Sequence, residues 1–227
     1  MRTLAFFSLV TLLFFGSSGA QTTIRPAHPT HYFYTPAPYV NEAYALVLSL
    51  HEISYALPYN LQIQASLLDN IGRINFGAKY GFRRNLSVGA GLAHTIAHLG
   101  RGSHGIPEGA QPRFGAFLVY GILLRSNLEI AITPHTQIGN HFSAGLDFGL
   151  YGKPNPIWGV IWEVGSSVDL TDEKLYLNTD LGLRITPPQI PFLHFDIGID
   201  LEETNVTDGH SPTVTAFFDV IFGMMTN

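Results

Sequence analysis

The stretch Tyr80–Leu92, YGFRRNLSVGAGL, decides how this chain reads. Apolar residues alternate with small or polar ones up to Phe82, the pattern breaks at Arg83-Arg84-Asn85, and it resumes from Leu86. Successive side chains of a strand point to opposite faces, so this is the pattern of two antiparallel strands joined by a tight polar turn. The design recurs at Tyr55–Leu61 (YALPYNL) and Tyr120–Leu128 (YGILLRSNL). Each time an aromatic, a small residue, an apolar residue and a short break lead into Asn-Leu. A meander built from one hairpin design is expected.

Alternating segments continue on both sides of that stretch. Leu61, Ile63, Ala65 and Leu67 alternate with Gln62, Gln64 and Ser66. Phe142, Ala144, Leu146, Phe148 and Leu150 oppose Ser143, Gly145, Asp147 and Gly149, and Leu193, Phe195, Ile197, Ile199 and Leu201 oppose His194, Asp196, Gly198 and Asp200. About eleven such segments run from Tyr44 to Gly223. The fold class is all-β, with no helix pattern after the N-terminal segment and no domain linker.

The N-terminus reads as a targeting segment. Arg2 precedes the apolar run Leu4–Phe15, and Gly16–Ala20 (GSSGA) supplies the small residues a signal peptidase reads, so cleavage is expected after Ala20. The run is shorter than the roughly 20 residues a helix needs to span a bilayer. A Pro-rich arm follows over residues 21–41, with Pro26, Pro29, Pro36 and Pro38 among aromatics. Proline donates nothing to a ladder, so an extended arm with at most one irregular strand near His31–Tyr34 is expected. Residues 42–227 form the β domain.

Charged residues make up 13% of the 227 and hydrophobic residues 46%, with a mean hydropathy of +0.17. A soluble domain is about a quarter charged. The net charge of -5 gives a nucleic-acid partner no electrostatic support. No cysteine is present, which removes disulfides, thiolate metal sites and cysteine nucleophiles.

Alternation by itself also fits a soluble sandwich or ligand-binding barrel with the apolar face inside. Three features favour a membrane barrel. The apolar face is almost unbroken by charge, the opposite face is Gly, Ser, Asn, Gln and a few Asp, and Tyr55, Tyr59, Tyr80, Tyr120, Tyr151 and Trp158 sit near strand ends, where an interfacial girdle would lie. Only a closed barrel satisfies the backbone of a β-protein in a bilayer.

With Met1–Ala20, the repeated hairpins and the last strand pattern Thr213–Met224, the mature chain resembles the small bacterial outer-membrane β-barrel, porin-like proteins. That resemblance implies a Gram-negative outer-membrane location, an antiparallel meander barrel of 10–12 strands, and the lipid bilayer and barrel-assembly machinery as partners. Such proteins often end on an aromatic residue, whereas this chain ends Met224-Met225-Thr226-Asn227, with Phe222 as the stand-in. Even strand numbers are expected, so either the arm supplies a twelfth strand or one of ten has been divided. Leu99–Pro112 and Glu202–Pro212 read as extracellular loops and the short breaks as periplasmic turns, with the start of the Tyr44 strand outside.

Taken literally, the alternation points Lys79, Glu129, Asp147, Glu163, Asp180, Arg184, His194, Asp196, Asp200 and Asp219 into the lumen. Ringed carboxylates favour cations. A small barrel plugged by its own hydrogen-bonded side chains is the simpler account and the favoured one. His94, His98 and His104 have a spacing that could hold a metal, but scattered loop histidines are commoner than sites, and no metal or cofactor is expected. No Gly-x-Ser-x-Gly elbow occurs, and Asp208, His210 and Ser211 are sequence neighbours rather than convergent groups, so no enzyme is expected. The functional expectation is a narrow pore or transporter for small solutes. A closed structural or adhesive barrel acting through its loops, and a secreted soluble ligand-binding barrel, stay open as alternatives.

Overall fold

The computed structural model describes residues 25, 27–29, 31–32, 35–50, 52–66, 73–95, 113–139, 141–207 and 213–226. Twelve strands account for most of them: β1 (Ala45–Leu48), β2 (Glu52–Leu57), β3 (Leu61–Ser66), β4 (Arg73–Arg83), β5 (Leu86–Thr95), β6 (Arg113–Arg125), β7 (Leu128–Ile138), β8 (Phe142–Gly152), β9 (Trp158–Asp169), β10 (Lys174–Ile185), β11 (Leu193–Asn205) and β12 (Val214–Met225). Each pairs antiparallel with its sequence neighbours, and β1 pairs with β12 through Ala45↔Met225 to Leu48↔Phe222, so the sheet closes on itself. β4–β12 run 10 to 13 residues, long enough to cross a hydrocarbon core at barrel tilt, whereas β1–β3 have 4 to 6.

The twelfth strand comes neither from the arm nor from a divided segment. Glu52–Leu57 forms β2, in the stretch read from sequence as the end of one strand and the lead-in to a turn. Ser49 closes the β1–β2 connection, its hydroxyl accepting from the Glu52 N–H. On the other side Tyr59 and Asn60 adopt φ of 65° and 59°, the left-handed geometry of a tight hairpin turn. Two reversals so close together hide a six-residue strand from any window longer than itself.

The repeated Asn-Leu has a structural reason. The carbonyl of Asn60 accepts from Gly81 N–H, that of Asn85 from Gly121 N–H, and that of Asn127 from Lys153 N–H. Each hairpin's last turn residue thus carries the ladder on to the following hairpin.

The start of β1, the end of β12 and the short turns at 58–60, 84–85 and 126–127 lie at one end of the barrel, with Thr226 N–H donating to the Tyr44 carbonyl. β5 ends and β6 begins at the opposite end. The start of β1 therefore lies with the short turns, contrary to the sequence expectation. β11 also continues to Asn205, taking the first residues assigned to the Glu202–Pro212 loop. The signal segment 1–20, residues 208–212 of that loop and Leu99–Pro112 lie outside the described residues.

The faces are partitioned by chemistry. Phe76, Trp162, Leu181 and Phe218 point out of the barrel, each about half exposed (50%, 48%, 49% and 50%), while Lys79, Glu163, Asp180 and Asp196 are 1–2% exposed on the inside.

Candidate functional site: a lumen occupied by the N-terminal arm

A twelve-stranded barrel is wider than the eight-stranded kind that side chains can fill, and narrower than a porin of 16–18 strands. The extra room here is taken by the described residues of the stretch 25–41. Ala27 N–H donates to the Gly223 carbonyl, and Met225 N–H donates to the Arg25 carbonyl, which places the start of the arm against β12. Tyr32 and Thr35 of the arm meet β8, β9 and β10, and Ala37 and Pro38 then pass β4 and β6 on the way to β1. Tyr32 N–H donates to the Thr35 carbonyl, and His31 and Pro36 form a bridge.

Its two limbs are tied together as well. His28 N–H donates to Asn41 Oδ1 at 3.1 Å, and Asn41 Nδ2 donates back to the His28 carbonyl at 2.8 Å. Tyr39 donates its hydroxyl to the Pro29 carbonyl at 2.9 Å. Burial raises the pKa of the Tyr32 and Tyr39 phenols, so both remain protonated. Prolines explain why the arm does not join the wall: Pro29, Pro36 and Pro38 have no N–H to offer a neighbouring strand.

The wall grips the arm through groups that sequence alternation pointed inward. Arg184 Nη2 donates to the Tyr32 carbonyl at 2.6 Å and the His31 carbonyl at 3.2 Å. The same guanidinium makes a bidentate pair with Asp196, Nε–Oδ1 at 2.8 Å and Nη2–Oδ2 at 2.6 Å, and stands 5.9 Å above the Tyr151 ring. That planar fork is what a lysine could not supply. Glu163 Oε1 accepts from Thr35 N–H at 2.8 Å, and Lys79 Nζ donates to the Ala37 carbonyl at 3.2 Å. Glu129 faces the Tyr32 hydroxyl. Tyr151, expected in the interfacial girdle, turns inward and packs on Tyr32 with ring centroids 6.2 Å apart.

Wall glycines make the seats. A Cβ at Gly149 would strike the Tyr32 ring, one at Gly121 would meet Pro38 Cγ, and one at Gly223 would run into Ala27. These are close approaches of side chain or backbone to a wall that has no side chain there, a use of glycine that strand alternation does not announce.

The remaining inward residues fall into two groups. Asp219 Oδ1 accepts from the N–H of Leu50 and of Val220, both at 2.8 Å, and His194 Nδ1 lies 2.8 Å from Thr186 Oγ1; these are structural ties. Asp147, Glu163, Asp180 and Asp200 stand on four successive strands, β8 to β11. Asp180 is the ladder partner of both Glu163 and Asp200. Asp147 approaches Asn178 over Gly165, and its Oδ2 is 3.0 Å from His135 Nδ1.

One group on the rim escaped the sequence reading. His141, Asp169 and Asp172 bring one ligand atom each to within 4.8 Å of one another, the only such metal-competent group among the described residues. Asp169 Oδ1 accepts from the N–H of Thr171 and Asp172, which aims Oδ2 at His141 Nδ1 3.2 Å away. The two turns that contribute it are far apart in sequence, and only the β7–β8 and β9–β10 connections meeting at one end of the barrel bring them together. Of the histidines weighed as metal ligands, His98 and His104 lie outside the described residues, as does the side chain of His94; Asp208, His210 and Ser211 lie outside them too.

No protein-family profile matches the chain, and no curated protein matches it in sequence.

Proposed function

We propose that this chain is a Gram-negative outer-membrane β-barrel, delivered by a cleaved signal at residues 1–20, which forms a narrow conduit for small solutes and is held closed at rest by its own arm. The observation that carries the reading is the partition of faces: half-exposed Phe76, Trp162, Leu181 and Phe218 outside, buried Lys79, Glu163, Asp180 and Asp196 inside. In water that arrangement is inverted, because apolar surface favours burial and charge favours hydration. Against hydrocarbon it is the stable one, with the closed ladder leaving no strand edge unpaired.

The alternative of a closed barrel, structural or adhesive, draws its support from the arm, which occupies the path a solute would take. A permanently open pore has no such support. Bilayer lipid and the barrel-assembly machinery are the partners of this reading, and no catalytic step belongs to it.

Cell fractionation of the full-length protein, followed by gel migration with and without boiling, tests the location. Recovery in outer membranes with a heat-modifiable band is expected. Recovery of the mature chain in solution without detergent would replace this reading with the secreted soluble barrel. Reconstituted in planar bilayers, the mature full chain is expected to give no steady current.

A further inference from the structure

We infer that the arm is a releasable plug, and that the barrel without it conducts small cations in preference to anions. This inference rests on the membrane-barrel reading above and names the solute class of the same lumen.

Four observations support release. First, closure of the wall does not involve the arm: β1 pairs with β12 directly, so the ladder stays complete when the arm leaves. Second, the arm is tied to itself, by the two His28–Asn41 bonds, Tyr39 to Pro29, Tyr32 to Thr35 and the His31–Pro36 bridge. It can therefore move as a unit. Third, the wall holds it by separate point contacts from Arg184, Glu163 and Lys79 and by backbone bonds to β12, in place of a continuous ladder. Each such bond can be exchanged for one to water when the arm leaves, the neutral backbone bonds to β12 at less net cost than those to the charged Arg184, Glu163 and Lys79. Fourth, the seats are glycines, so departure of Tyr32 from Gly149 and Pro38 from Gly121 leaves open space where a wall side chain would otherwise stand.

The charge of the exposed lumen sets the solute class. Of the ten wall residues pointed inward by the alternation, seven are carboxylates (Glu129, Asp147, Glu163, Asp180, Asp196, Asp200 and Asp219), and two, Lys79 and Arg184, are cations. Both cations hold arm carbonyls in the plugged state, and Arg184 keeps Asp196 as its partner once the arm has gone. The stripe Asp147–Glu163–Asp180–Asp200 then faces the lumen with Glu163 relieved of Thr35. A narrow path lined by one sign of charge selects the other.

The test compares the mature full chain with a variant lacking residues 21–41, both first checked for a heat-modifiable band in outer membranes. That check reads the membrane-barrel proposal alone. Planar-bilayer recording then reads the plug: the shortened barrel is expected to show resolvable current steps that the full chain lacks, with a reversal potential in a KCl gradient on the cation-selective side. A folded, shortened barrel that stays silent, or a full chain that already conducts equally, would overturn the plug. Where the deletion fails to fold, Tyr32→Ala keeps the arm and its backbone bonds but empties the seat at Gly149; brief openings are expected, and their absence overturns release in the same way. Asp180→Asn combined with Asp200→Asn is expected to shift the reversal potential toward zero in whichever variant conducts. An unchanged potential would remove the acidic stripe as the selecting element.

Discussion

Two sets of inner-wall glycines solve the same crowding problem with different partners. At Gly198 the space above the backbone is taken by Phe217, at Gly89 by Phe117, and at Gly165 by Asn178, all from the wall itself. At Gly149, Gly121 and Gly223 it is taken by Tyr32, Pro38 and Ala27, all from the arm. A wall ring anchored on the neighbouring strand cannot leave without unravelling the ladder. An arm residue can, because its backbone belongs to no strand of the barrel. The lumen is therefore part permanent core and part removable filling, and glycine marks both.

The largest effect is expected where the two kinds of filling meet. Asp196→Ala leaves the buried Arg184 with arm carbonyls but no carboxylate, and loss of a partner from a buried pair costs about 3–5 kcal/mol. The urea midpoint of the unboiled, fast-migrating band should fall accordingly; an unchanged midpoint would mean that Arg184 serves the arm alone. Next comes the outer wall on which the comparison depends. Leu181→Arg places a cation on the outer side of β10 and, in the proposed membrane setting, should cost about 2–4 kcal/mol near the bilayer midplane. A neutral outcome in membranes would argue for water outside.

The comparison itself is broken or sharpened by a matched pair. Gly198→Leu drives a side chain into Phe217 and the Leu181 carbonyl, with a cost of about 1–3 kcal/mol from overpacking. Gly149→Leu meets Tyr32 instead, so barrel stability should hardly change while limited proteolysis within residues 25–41 accelerates. Equal destabilisation of the barrel by both would show that the arm is as fixed as the wall. The smallest effect is Asn41→Ala, which unties the two limbs of the arm at His28 and should cost about 1 kcal/mol, seen as faster hydrogen exchange at the His28 amide.

Much of the wall was legible. Alternation from Leu61 to Gly223 names which residues share a face, and the break at Arg83-Arg84-Asn85 coincides with the β4–β5 turn. β2 was not legible, because six residues between two tight reversals leave too short a periodic window. Tyr151 was misplaced for a different reason. An aromatic near a strand end looks the same whether it faces headgroups or turns inward to stack with Tyr32. The His141, Asp169 and Asp172 cluster had no local signal, since its members are gathered from two separate turns.

What the sequence determined by itself is what period two can carry: the strands, the residues that share each face, and a proline-rich stretch unfit for any ladder. Period two is a local property and says nothing about where a non-strand segment lodges. Only the tertiary structure decided that the arm lies inside the barrel. The groups that receive it, Arg184 and Glu163, stand more than 120 residues away, |i−j| being 152 from Tyr32 to Arg184 and 128 from Thr35 to Glu163. They face Tyr32 and Thr35 because twelve strands enclose more space than their own side chains fill.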